Sequence, residues 1–180
     1  AVRTANWIIK NNVTDLSKRV DSSIDRLLLL PMAARVLIEL IEKLLPKKIF
    51  FSSYGLREGI LFYQMPERIR ALDPLIEACR YQESSSARFP GFGDKLFKWI
   101  LPIFSNLVKY DLRLYHAACL LHDTTWKAHP DYRAEMSFET VTRTNLGGIN
   151  HQGRIFLALA LMSRYKKMEV SKTLEGPLRI

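Results

Sequence analysis

Cysteine is scarce: two in 180 residues, Cys79 and Cys119. Two thiols cannot staple a small secreted domain. Both fall in apolar helical patterns, so they read as buried free thiols in a reducing cytoplasm. Long apolar runs are lacking too. None reaches the ~20 residues of a membrane-crossing helix, and the longest are broken by charges, so no membrane partner is expected. The first residues, AVRTANWIIKNN, lack both an initiator methionine and the basic-then-apolar order of a leader. The chain therefore reads as a portion of a longer protein. No internal repeat occurs. Acidic residues are in deficit, 18 against 27 basic ones, for a net charge of +9. Such an excess favours polyanions: nucleic acid, an anionic surface or polyphosphate. Charge alone does not choose among them.

What is present is mostly helical periodicity. Residues 1–12 are weakly helical and 13–23 read as a polar loop. Pro31 suits a helix's first turn, and the segment after it, MAARVLIELIEKLL, is apolar at three-to-four spacing until Pro46. Lys47–Ser52 is short and rich in aromatic and β-branched residues, which predicts a strand. It leads into Gly55-Leu56-Arg57-Glu58-Gly59, read as a glycine-bracketed turn. Beyond residue 66 helix follows helix: 67–83, then Lys95–Val108 capped by Asp94, then 111–122, 131–143 and 151–167. The serine-, proline- and glycine-rich stretch 84–93 and Gly147-Gly148 separate some of them. The last residues read as a tail. Trp99, Phe104, Trp126, Phe138, Phe156 and Tyr165 are expected in the core, and part of the Ile155–Met162 face at a subunit interface.

The chain is organised around Leu112–Arg133, LRLYHAACLLHDTTWKAHPDYR. An apolar helix ends there on an adjacent His122-Asp123 pair, followed by His129 and Asp131. The pair resembles the centre of the HD-type phosphohydrolase fold, and that resemblance implies that a metal-binding version would add an upstream histidine and a downstream aspartate converging on one ion. No histidine lies between Tyr81 and Tyr115, and no aspartate follows Asp131. His116, six residues before His122 on one helix, points roughly 240° away. The site reads as degenerate: His122 and Asp123 end a helix, and His129-Pro130-Asp131-Tyr132 makes a hydrogen-bonded corner. A metal on His122 and Asp123 is the less favoured alternative.

Two motifs resemble the exopolyphosphatase / guanosine pentaphosphate phosphohydrolase family. The first is PMAARVL followed by the short apolar run and SSYGLREGIL. The second is AACLLHDTTWKAHPDYRAEMSFETV followed by GGINHQGRIFLALALMSRY. The resemblance implies a mainly α chain. Residues 1–65 would be the helix–strand–turn end of an actin-like α/β domain, and 66–180 a helical bundle of the HD-phosphohydrolase type. It implies that hydrolysis of the terminal phosphoanhydride, with magnesium, belongs to actin-like domains preceding this portion. No catalytic residue is then expected here. It further implies inorganic polyphosphate as substrate, guanosine penta- or tetraphosphate as a second ligand, and a homodimer.

On that reading Lys127, Arg133, Arg143, Arg154, Arg164, Lys166 and Lys167 are candidates to hold polyphosphate. Each phosphate carries charge, so several cations in a row are required. Arg26, Gly55, Arg57, Glu58 and Gly59 are candidates to lie near a nucleotide or phosphate, or else Arg57 and Glu58 form a salt bridge that holds the turn. Two rival readings remain: an independent metal-dependent nucleotide phosphohydrolase, and a non-catalytic nucleic-acid or nucleotide-binding module.

Overall fold

The computed structural model describes residues 1–20, 22–104 and 109–167. They are mainly helical, and among the described residues no strand occurs. The chain divides into two compact units, Ala1–Ile60 and Leu61–Ile180.

In the first unit, α1 (Val2–Lys10) and α2 (Val13–Ser17) pack on α3 (Ile24–Leu44). Asn12 starts α2 by accepting the Asp15 amide at 2.9 Å, so part of the segment read as loop is helix. Helix α3 also begins seven residues earlier than Pro31 implies, and Pro31 lies inside it. The proline removes one backbone donor from the helix interior. Buried Leu27 and Ala34 anchor the helix on either side of it. Leu45 ends α3 at φ 43°. Leu28, Met32, Val36 and Leu40 form an exposed apolar stripe at four-residue spacing on α3.

Residues 47–52 are not a strand. Their composition suits one, but a strand exists only with a hydrogen-bonded neighbour, and no ladder forms among the described residues. The expected turn at 55–59 is instead the start of α4 (Leu56–Gln64). Glu58 reaches back to accept the Gly55 amide at 2.7 Å, which is half of a capping box. Its carboxylate serves the helix start rather than a salt bridge to Arg57.

The second unit holds α5 (Glu67–Arg70), α6 (Pro74–Ser86), α7 (Phe92–Ile100), α8 (Lys109–Leu121), α9 (Arg133–Arg143) and α10 (His151–Ser163). The single helix expected over 67–83 is broken in two. Asp73 caps α6 by accepting the amides of Leu75 and Ile76, with Pro74 in the first turn. Arg113 also donates to both Asp73 oxygens and to the Gly148 carbonyl. Helix α7 starts at Phe92, after Gly91 at φ 82°, so Asp94 sits inside its first turn rather than capping it. A 3-10 turn, Leu101–Phe104, follows. Residues 105–108 of the expected 95–108 helix, and the tail from 168 on, lie outside the described residues.

Helix α8 is central to the second unit. It packs against α6, α7 and α10, and α9 packs on α10. Leu75, Cys79, Leu114, Ala117, Leu120, Val141, Leu157 and Leu161 form the core. Both cysteines are buried free thiols. Burial pushes Cys79 up to about 12 and Cys119 to about 11, so both stay protonated and unreactive. Phe138 packs against the core and Phe104 stacks on Tyr115 at 4.3 Å. Trp99 and Phe156 are not core residues: they are 74% and 39% exposed. No helix among the described residues is long and apolar enough to cross a membrane.

Candidate anion-binding site at the end of the central helix

Helix α8 buries Leu114, Ala117 and Leu121 on one side and runs out at Leu121. A turn then delivers His122 and Asp123 to its end, closed by the Thr124 hydroxyl donating to the Leu121 carbonyl at 3.0 Å. His122 turns back on the helix. Its Nδ1 lies 2.8 Å from the Cys119 carbonyl oxygen. A carbonyl only accepts, so Nδ1 carries the proton and Nε2 is the acceptor of the neutral ring.

Asp123 is 3% exposed. Its charge is matched by a residue 35 positions earlier. Arg88 Nε donates to Oδ2 and Nη2 to Oδ1, each at 2.8 Å. This is the planar fork geometry that guanidinium offers and ammonium does not. Arg164 adds a second cation, its Nη1 3.6 Å from Oδ1, and the same nitrogen donates to the His122 carbonyl. Hydrogen bonds from Arg88 hold the Asp123 carboxyl below the usual carboxylate range, against the opposing effect of burial. Trp126 donates Nε1–H to the Ser86 carbonyl at 2.9 Å. The Arg88 guanidinium lies 5.8 Å from its ring, within cation–π reach.

Arg88 therefore occupies the stretch of sequence where a metal-binding dyad would have its upstream histidine. Among the described residues no three His, Cys, Asp or Glu side chains come together. Asp123 already gives both oxygens to a guanidinium, so the dyad as built does not fit a divalent cation. His116 belongs elsewhere. Its Nε2 is 2.7 Å from Asp94, and its ring stacks on Phe97 at 4.3 Å. His129 and Asp131 lie in an exposed 3-10 turn, 3.6 Å from each other.

Arg88, Lys95 and Arg164 line a pocket of about 780 Å³ with His122 and Asp123. Its remaining wall is Phe89, Pro90 and Phe92, from the α6–α7 loop and the start of α7. Three cations face one carboxylate, so the pocket is net positive. Sequence reasoning found Arg164, His122 and Asp123 but missed Arg88, Lys95 and the two phenylalanines. The available signal was Arg88 itself, a cation standing in the window searched for histidine.

The other candidate cations separate by what they touch. Arg154 donates to the carbonyls of Val141 at 2.9 Å and Leu146 at 3.1 Å, and also to that of Thr144. It ties the α9–α10 connection together, so its guanidinium is spent on the fold. Arg133 donates to the Ala128 carbonyl at 3.0 Å. Arg143 pairs with Glu139 one turn back at 2.5 Å. Lys166 pairs with Glu135 at 3.0 Å and, by that hydrogen bond, holds its carboxyl low. Lys127 and Lys167 are exposed, and Lys127 lies 5.7 Å from the Trp126 ring. In the first unit Arg26, Gly55 and Arg57 are exposed, with Arg26 on α3. Glu58 and Gly59 lie in α4.

A protein-family model described as the C-terminal part of exopolyphosphatase matches residues 87–179, just over half of the chain. The match takes in Arg88, the His122-Asp123 dyad, α9 and α10. A search of curated proteins found no match.

Proposed function

Because the chain belongs to the exopolyphosphatase C-terminal family, we propose that it is the substrate-holding portion of an enzyme that releases terminal orthophosphate from inorganic polyphosphate. The observation that carries this reading is the family match, which spans all seven cations named as candidates to hold polyphosphate. Between His122 and Lys167 there are seven lysines and arginines against four aspartates and glutamates. That local surplus is what a linear polyanion requires of a surface. Lys127, Arg133, Arg143, Arg164, Lys166 and Lys167 are the contacts we assign. Arg154 is left out, because its guanidinium is committed to backbone carbonyls.

Hydrolysis, with its magnesium, is assigned to actin-like domains of the parent enzyme. The first unit is read as a part of such a domain. Its exposed stripe of Leu28, Met32, Val36 and Leu40 supports that, since apolar surface of this regularity is normally covered. Guanosine pentaphosphate is a second substrate in this reading, and the parent acts as a cytoplasmic homodimer.

The test is a paired one on residues 1–180. Polyphosphate should bind in preference to RNA of equal length at every salt concentration, with no metal-dependent phosphate release from polyphosphate by the chain alone. Equal binding of RNA would favour a nucleic-acid module. Metal-dependent turnover would move catalysis into this portion.

A further inference from the structure

The pocket at the end of α8 has a feature that a bare phosphate chain does not use. Arg88, Lys95 and Arg164 line it, with Asp123 offsetting a single charge. Its lining also includes Phe89, 70% exposed, and Phe92, 44% exposed. Phe92 is steadied by the His122 ring, whose centroid is 5.6 Å away. Open phenyl rings beside guanidinium groups suit a ligand with an aromatic face and a phosphate tail. Polyphosphate has no such face. The volume, about 780 Å³, falls in the range of pockets that hold drug-sized molecules.

We propose that this pocket binds a nucleoside di- or triphosphate, its base against Phe89 and Phe92 and its phosphates toward Arg88, Lys95 and Arg164. The site is separate from the surface assigned to polyphosphate, with only Arg164 common to both. Base–aromatic stacking supplies the preference for nucleotide over inorganic phosphate. The three cations supply the affinity that both ligands share. Lys95 and Phe89 are exposed, and neither side chain makes a hydrogen bond or ion pair among the described residues.

The experiment is calorimetric titration of the full chain with GTP, ATP and inorganic tripolyphosphate at one salt concentration. Phe89→Ala and Lys95→Gln are titrated alongside, after circular dichroism shows that both variants keep the fold. At least one nucleotide should bind roughly five- to a hundredfold more tightly than tripolyphosphate, the range that stacking of one base allows. Phe89→Ala should remove that advantage and leave tripolyphosphate binding unchanged, while Lys95→Gln weakens both. The proposal is overturned if neither nucleotide binds more tightly than tripolyphosphate. It is also overturned if a nucleotide preference survives Phe89→Ala. Long-chain polyphosphate titrated into Lys127→Gln/Lys167→Gln tests the earlier reading separately, since neither lysine lines the pocket.

Discussion

Arg88 and Asp123 make a forked ion pair that joins a loop residue to a nearly buried carboxylate. Asp123 is 3% exposed while the Arg88 side chain is 46% exposed. Solvent screening therefore weakens the attraction, but removing the arginine still strips a buried charge of its two best donors. Arg88→Gln should lower stability at neutral pH, because the buried carboxylate loses the hydrogen bonds of a charged donor. The pH dependence follows from the direction of the shift. The folded-state carboxyl is held below its unfolded value, about 3.9. The pair's contribution is thus complete above that value and vanishes as pH falls through the folded one. Denaturant midpoints of the two proteins should differ by a constant amount above about pH 5 and converge in acid. A gap that persists unchanged down to pH 2 would show that Arg88 acts by packing rather than charge. Arg154→Leu should destabilise as well, by roughly 1–3 kcal/mol, because buried carbonyls lose their donor. Its thermal unfolding measures that loss, and polyphosphate affinity should stay level in the folded variant.

At the scale of elements, the close crossing of α7 on α8 is set by Gly93. A Cβ there would meet Leu120 Cα at 2.6 Å and the Cys119 carbonyl oxygen at 2.8 Å. Gly93→Ala should therefore pry α7 from α8 and cost about 1–3 kcal/mol, as overpacking does. Gly59 is the control. It lies inside α4 with nothing within 4 Å of its Cβ position. Gly59→Ala should raise stability by roughly 0.5–1 kcal/mol through helix propensity, read from the same chemical unfolding curves. Helices were readable in the sequence where an apolar stripe followed a turn signal, as after Gly147-Gly148, where the last helix begins at His151. They were misread where local and tertiary preferences part. Pro31 signals a helix start by its own chemistry, yet helix extends on both sides of it. Lys47–Ser52 has strand composition and no partner. Asp94 has the chemistry of a cap but spends it on His116 and Arg80, at 2.7 and 3.3 Å. The dyad was found because its residues are adjacent. Its partner was missed because the pairing spans 35 positions, and no periodicity reports a contact of that kind.

At the scale of the whole chain the governing quantity is charge, +9 over 180 residues, and how much of it remains available. Several cations are already matched: Arg113 on Asp73, Arg143 on Glu139 and Arg88 on Asp123. A surface ion pair is weak and can open toward a stronger anion, so Lys166 can leave Glu135 and Arg143 can leave Glu139, whereas Arg154 cannot leave its carbonyls without loosening a connection between helices. Lys127, Arg133, Arg143, Arg164, Lys166 and Lys167 are then the cations that polyphosphate can recruit. Binding a flexible single-stranded polyanion through six such contacts should give a log affinity that falls with log salt at a slope of about −4, near 0.7 per contact. Replacing Lys127 and Lys167 with glutamine together should flatten that slope by about 1.4 and weaken binding at low salt far more than at high salt. The measurement is a filter-binding series from low to high potassium chloride, with wild type and the double variant side by side. A slope near zero would mean that polyphosphate is held by something other than these cations. An unchanged slope in the double variant would move the path of the polymer to a different face of the second unit.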